Sequence, residues 1–218
     1  ANELCDGIDN DCNPLTDETS DDDFDGYSEC DGDCDDRTEF AAPANAEVCG
    51  DGLDNDCDGT GDEVDCITCD QIAPVGSDID DAVAAAADGD TVCVPQGTFP
   101  PFSFQGKTLT VRSLAGRDLT TIDGDLAASC VTITGGEAAG TLLEGFTLFE
   151  GMASSGGGVL VQNSTATLRD LAVSSCRATS DGAGVHLENT QDVLIEDVTL
   201  WDNQADDDGG GLSALDSE

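Results

Sequence analysis

Three stretches of the chain place side-chain oxygens at alternate positions: Asp9, Asp11 and Asn13; Asp21, Asp23 and Asp25; and Asp54, Asp56 and Asp58. Alternate oxygen donors on a tight loop, then a glycine that permits a sharp turn, suit a hard cation with six to eight oxygen ligands, which points to calcium. Gly26 and Gly59 stand at the turn, and the next residues, Tyr27 and Thr60, offer backbone carbonyls. Asp17 and Glu18 follow the first loop, Asp33 or Asp36 closes the second, and Asp62 or Glu63 closes the third. About three calcium ions are expected. Pro14 replaces the turn glycine in the first loop, which is therefore the weakest of the three. Position twelve of the middle loop is Gly32 rather than Glu, and neither flank carries a helical apolar period. These are calcium loops without the helices of a helix-loop-helix hand. Like charges ~4 Å apart repel by about 4 kcal/mol at an effective dielectric of ~20, so the ion is part of what lets the loops close. The competing reading, a solvated acidic tail, would need neither paired cysteines nor an ordered repeat.

The elements that hold these loops divide the chain in two. Residues 1–70 carry 25 of the 48 acids and one base, Arg37, and have almost no consecutive apolar residues. Such a segment cannot bury enough surface to offset its chain entropy unaided. The chain holds 11 cysteines, eight of them between Cys5 and Cys69, which implies an oxidising, extracellular compartment. Cys5, Cys12, Cys30, Cys34, Cys49, Cys57, Cys66, Cys69, Cys93 and Cys130 are the disulfide candidates, and the odd total leaves at least one thiol over. Local bridges from Cys5 to Cys12 and from Cys49 to Cys57 would close short loops, with the connectivity otherwise open. Zinc is disfavoured, because only Cys66 and Cys69 have zinc-like spacing and His186 is the sole histidine. A net charge of −42 excludes nucleic acid and anionic membrane surfaces as partners. No apolar run approaches the ~18 residues of a membrane-spanning helix, and no charged-then-apolar leader opens the chain, so a soluble mature form is expected.

An internal repeat frames the loops. Glu3-Leu-Cys5-Asp-Gly-Ile-Asp9-Asn-Asp11-Cys12, then Asp17-Glu18, returns as Glu47-Val-Cys49-Gly-Asp-Gly-Leu-Asp54-Asn-Asp56-Cys57, then Asp62-Glu63. With the intervening Asp21-x-Asp23-x-Asp25-Gly26-Tyr27 and Gly32-Asp-Cys-Asp-Asp36, this order resembles the metal-binding repeat of MopE-type secreted bacterial proteins over roughly the first 66 residues. It is also similar to thrombospondin type 3 calcium repeats. The resemblance implies calcium loops. Some members of the MopE-type family are linked to copper, and this stretch offers neither His nor Met for it.

Residues 71–218 read as a stack of coils. Asp78 precedes a run of helix formers to Ala87, a short capping helix. Brief β-branched runs follow at Thr91–Val94, Thr108–Arg112, Thr120–Ile122 and Cys130–Thr134. From about residue 142 a second repeat appears: Leu143, Phe146 and Leu148 align with Leu168, Leu171 and Val173, and with Ile195, Val198 and Leu200. Gly158-Val159 aligns with Gly184-Val185 and Gly211-Leu212, and Asn163-Ser164 with Asn189-Thr190. A period of about 25 to 27 residues, short strands and Gly-rich corners predict a parallel β-helix. Residues 79–95 resemble the capping helix and first strand of right-handed β-helix proteins of the pectate-lyase-like class, and the Gly156 and Gly209 corners those of polymorphic outer-membrane repeats. The expected fold is mostly β: a right-handed parallel β-helix preceded by a disulfide-rich calcium-loop module with little regular secondary structure.

Catalytic signals are thin. Arg169, Asp170, Glu196 and Asp197 fall at matching places in adjacent coils and read as a solvated surface ladder, and His186 as a surface or packing residue rather than a ligand. Asp206-Asp-Asp208 reads as a solvated turn, and Asn163-Ser-Thr165 is formally a glycosylation acceptor. The final coil opens at Gly209 with no capping element before Glu218, so either the chain is a piece of a longer one or its open end is used. The expectation is a non-catalytic, secreted calcium-binding structural protein of a bacterial surface or matrix. Its partners would be copies of itself, stacked head to tail into filaments, or surface glycans. The alternative is a carbohydrate-binding or lyase-like β-helix to which the calcium module is an appendage.

Overall fold

The computed structural model describes residues 20–49, 51–61, 66–73 and 78–217, and the chain forms two compact units that meet in sequence between Thr68 and Cys69.

Among the described residues the first unit has little regular structure: a 3-10 turn at Glu29–Asp31 and one parallel bridge between Val48 and Ile67. Its described buried apolar residues are Ala41, Ala42 and Val48, too few for a hydrophobic core. Covalent links substitute. Cys34 pairs with Cys57 and Cys49 with Cys66, across separations of 23 and 17 residues, and Cys30 is also disulfide-bonded. In the chain-entropy account each of the two loops is worth roughly 3 kcal/mol. The expected local bridge from Cys49 to Cys57 does not form. The Cys49 amide donates to the Ile67 carbonyl (2.9 Å), which brings Cys66 alongside, while Cys57, in left-handed backbone at φ 58°, meets Cys34 instead. Cys5 and Cys12 lie outside the described residues.

The second unit is a parallel β-solenoid of about five turns. Strand β1 (Gln71–Ile72) and helix α1 (Ile79–Ala85) precede the coils. The first coil holds β2 (Thr91–Val94), β3 (Gly97–Phe99) and β4 (Phe102–Ser103); the second β5 (Thr110–Ser113), β6 (Thr120–Asp123) and β7 (Val131–Ile133). The third holds β8 (Leu142–Phe149), β9 (Met152–Ala153) and β10 (Val159–Gln162); the fourth β11 (Thr167–Ser174), β12 (Arg177–Ala178) and β13 (Val185–Glu188). The last holds β14 (Leu194–Glu196), β15 (Thr199–Trp201), β16 (Gln204–Ala205) and β17 (Leu212–Leu215). They stack into three sheets, led by β1-β2-β5-β8-β11-β14, β4-β7-β10-β13-β17 and β9-β12-β16.

Register follows the sequence repeat. Val111, Leu143, Leu168 and Ile195 stack in one row, Ile122, Leu148, Val173 and Leu200 in a second, and Val131, Val159, Val185 and Leu212 in a third. Leu143, Leu148, Leu168 and Val173 are fully buried. Corners are set by backbone handedness. Glu150, Ser175 and Asp202, then Gly156, Gly182 and Gly209, then Asn163, Asn189 and Asp216 occupy left-handed backbone at equivalent points of the last three coils. Gly and the short polar side chains tolerate that conformation best.

Helix α1 buries Ile79, Ala82 and Val83 against the first strands, and Asp78 caps it by accepting from the Asp80 amide. At its other end Lys107, the only lysine of the chain, donates through Nζ to the carbonyls of Val83, Ala84 and Ala86 at 2.7, 2.8 and 2.7 Å. Cys69 bonds to Cys93, fastening β1 to β2. Cys130, a disulfide candidate from sequence, is instead a buried thiol, as is Cys176. Both sulfurs reach carbonyls at the end of β8, Cys130 Sγ that of Phe149 (3.4 Å) and Cys176 Sγ that of Leu148 (3.9 Å). A hydrogen bond between the two thiols, with burial behind it, pushes the Cys130 thiol up, while the same bond holds that of Cys176 down against burial, which by itself would raise it.

Candidate metal centre

Two loops of the first unit have the same internal wiring. In Asp21–Tyr27 the Asp21 carboxylate accepts from the amides of Asp25 (3.1 Å) and Gly26 (3.0 Å), Asp23 accepts from Asp25 (3.1 Å), and Asp25 accepts from Tyr27 (2.9 Å). In Asp54–Thr60 the Asp54 carboxylate accepts from Asp58 (3.1 Å) and Gly59 (2.9 Å), Asp56 from Asp58 (3.1 Å), and Asp58 from Thr60 (2.9 Å). Gly26 and Gly59 turn at φ 96° and 97°, and the residues at the fourth position, Phe24 and Cys57, are also left-handed. The alternating acids thus fold their own loop by taking up its amides, with oxygens left over. Tyr27 and Thr60 enter these loops through their amides.

Each loop receives one more carboxylate from outside. Asp36 accepts from the Asp22 amide (3.0 Å), and Glu47 from the amides of Asn55 and Asp56, the latter at 3.0 Å. The result is a pair of equivalent triads, Asp21–Asp23–Asp36 and Glu47–Asp54–Asp56, each offering one oxygen per residue within 4.8 Å of the others. The first loop has a further triad, Asp23–Asp25–Asp33, so Asp23 belongs to both of its sets. Asp58, the counterpart of Asp25, is exposed and joins no triad among the described residues. Asp33 also approaches the sulfurs of Cys34 and Cys57, but these are bonded to each other and offer no thiolate.

The electrostatics are unfavourable without a cation. Two ionised carboxylates 4.8 Å apart repel by roughly 3.5 kcal/mol at an effective dielectric of ~20. Burial, with Asp25, Asp33 and Asp36 nearby, pushes Asp23 up to about 7, against the lowering pull of the Asp25 amide. Burial and the charges of Asp25, Asp36 and Asp35 push Asp33 up to about 6, against the Asp35 amide. Asp36 is raised too, by burial and then by Asp22, Asp21 and Glu29. The Oδ2 atoms of Asp23 and Asp33 are buried and accept no hydrogen bond. A carboxylate oxygen withdrawn from water with no donor is costly, and a metal ion would satisfy it.

The structure therefore gathers Asp21, Asp23, Asp25, Asp33 and Asp36 at one loop, and Asp54 and Asp56 at the other. Asp9, Asp11, Asn13, Asp17, Glu18, Asp62 and Glu63 lie outside the described residues. Alternation along the chain does not single out two further residues. Glu47 completes the second triad, and its signal is its fixed place before the first cysteine of the repeat. Asn55 is fully buried beneath the same loop, accepting from the Val48 amide (2.8 Å) and donating to the Phe40 carbonyl (2.8 Å). Only its position inside the Asp54-Asn-Asp56 repeat hints at that role.

The donor set tests which metal fits. Among the described residues every available donor in the triads is a carboxylate oxygen, and the chain's single His and single Met, His186 and Met152, are in the solenoid. Such donors suit a hard cation, whereas copper draws on imidazole, thiolate or thioether.

These features define a disulfide-stapled module of acidic loops whose carboxylates could hold a metal, joined in one chain to a parallel β-solenoid. A family model named for copper binding in MopE, and described as "Putative metal-binding motif", matches residues 1–18 and 33–63. The match spans the second triad and omits Asp21–Tyr27. No curated protein and no solved structure matches the chain. The disulfides mark a chain that folds in an oxidising, extracytoplasmic compartment. Among the described residues no helix is long and apolar enough to cross a membrane.

Proposed function

We propose that this chain is a non-catalytic, secreted structural protein whose first unit is set by calcium. The observation that carries the reading is the buried, unpartnered Oδ2 atoms of Asp23 and Asp33 within converging carboxylates. Oxygen-only donors on Asp-rich loops with a turn glycine support calcium over magnesium, which keeps more of its water and asks for stricter octahedral geometry. The basic residues of the solenoid support a structural role. Arg112, Glu144, Arg169 and Glu196 alternate in sign along one row of the first sheet, with contacts of 3.5, 3.5 and 2.9 Å, and Arg117 pairs with Asp170 at 3.3 Å. Parallel stacking would place like charges side by side, and alternation replaces that repulsion with attraction. Asp170 and Asp197 occupy left-handed backbone beside this row, which accounts for their residue type without chemistry.

Isothermal titration of chelator-stripped protein with calcium, magnesium and copper(II) tests the reading. Heat of binding for calcium, abolished at the first loop in an Asp23→Asn/Asp33→Asn variant, is expected. Binding of copper in preference to calcium would overturn it. Head-to-tail assembly is the further step of this proposal. Electron microscopy of calcium-loaded protein checks it, rods of uniform width being expected and discrete particles removing it.

A further inference from the structure

Away from the metal loops, the corner that follows the second sheet repeats through the last three coils. Asn163, Asn189 and Asp216 hold left-handed backbone there at φ 52°, 50° and 49°. Ser164, Thr190 and Ser217 follow them. Beside this row opens a groove of about 390 Å³, within the range of ~300–1,000 Å³ common to ligand clefts. At one end Glu137 is buried and fully used, its carboxylate accepting from the amides of Gly106 (3.0 Å) and Gly135 (2.8 Å) and from Ser164 Oγ (2.6 Å). The middle differs. Thr190 is 1% exposed, lines the groove, and its Oγ1 has no hydrogen-bond partner. Asn163 and Asn189 are exposed, and their side-chain amides bond no described side chain or carbonyl.

The lining selects the chemistry of an occupant. It contains no lysine or arginine and no large apolar side chain, so it suits neither an anion nor an apolar ligand. Glu137 is consumed internally, which leaves Asp216 as the one lining carboxylate open to a cation. What remains is an array of hydroxyl and amide groups, repeated at the strand spacing of ~4.8 Å from coil to coil. A neutral, polyhydroxylated chain matches it, because each unit can both donate and accept.

We propose that this groove binds a neutral oligosaccharide laid along the solenoid axis, with Thr190 Oγ1 at its floor and the Asn163 and Asn189 amides along its wall. The site is independent of calcium in the first unit, so the two readings can fail separately. The test is binding of the full chain to immobilised neutral glucan, mannan and galactan oligosaccharides, with an oligouronate as the acidic comparison. Binding to at least one neutral sugar, weakened about tenfold by Thr190→Val and unaffected by chelator, is expected. The double variant Asn163→Gly/Asn189→Gly, which removes both amides and keeps a residue suited to the left-handed backbone, gives the same weakening should Thr190→Val disturb folding. Failure of every neutral sugar to bind, tighter binding of the uronate, or full binding by the double variant would overturn the proposal.

Discussion

Asp23 takes part in both triads of the first loop, whereas Asp58 takes part in none among the described residues. Asp23→Asn should therefore weaken calcium binding by roughly ten- to a hundredfold, and Asp58→Asn by no more than about twofold, as read by titration calorimetry. The same carboxyls set a pH dependence. Asp23 at about 7 and Asp33 at about 6 hold protons in the folded, metal-free chain that ordinary carboxyls, at 3.8, have released. Their contribution favours folding most below about pH 4 and is lost as pH rises through about 6 to 7. Calcium, which replaces those protons, should cancel the loss. Thermal melts of the first unit's signal at about pH 4 and about pH 8, with and without calcium, check both halves. In the second unit, Lys107 gathers three carbonyls at the end of α1. Lys107→Met should cost about 1.5 to 3 kcal/mol in urea unfolding, since it strands those acceptors and removes a cation from a helix C-terminus.

Coils divide sharply in what they tolerate. Leu171 is fully buried and pairs with Phe146, so Leu171→Ala should destabilise the solenoid by about 2 to 5 kcal/mol, while Leu215→Ala, at a half-exposed site, should cost under about 1 kcal/mol. Gly158 is less forgiving still. A Cβ there would lie 2.4 Å from Val173 Cγ1 and 2.5 Å from the Gly184 carbonyl oxygen, so Gly158→Ala should lower the melting temperature more than Leu215→Ala does. Much of this architecture is legible in the sequence. The alignment of Leu143, Leu168 and Ile195 is the observed register, because a solenoid turns sequence period directly into spatial neighbours. Strand boundaries shift by one or two residues, as with Thr108–Arg112 against β5 at Thr110–Ser113. The disulfides are less legible. Pairing depends on which backbones approach, and the approach of Cys34 to Cys57 is set by the left-handed turn at residue 57, which no spacing rule encodes.

For the molecule as a whole, two means of holding a chain together divide the sequence. The solenoid buries continuous rows of aliphatic side chains, and the first unit relies on bonds between sulfurs and on whatever fills its acid triads. Alternating acids make the loops visible in the sequence. Their closing carboxylates, Asp36 and Glu47, sit outside the loops; alternation leaves the first as one of two choices, and the second is marked only by its fixed place before the first cysteine of the repeat. Chelation should accordingly lower the first unit's melting transition and leave that of the solenoid in place, which differential scanning calorimetry would resolve as two peaks.

Arg37 has a use that follows from its surroundings. It is exposed, its amide and that of Thr38 both fold back on the Asp35 carbonyl, and it immediately follows Asp36 of the first triad. As the lone basic side chain in the first 70 residues, it also marks the lone peptide bond there that trypsin recognises. A single nick after Arg37 would thus serve as a gauge of ion occupancy, slow when the neighbouring carboxylates are filled and fast when they are stripped.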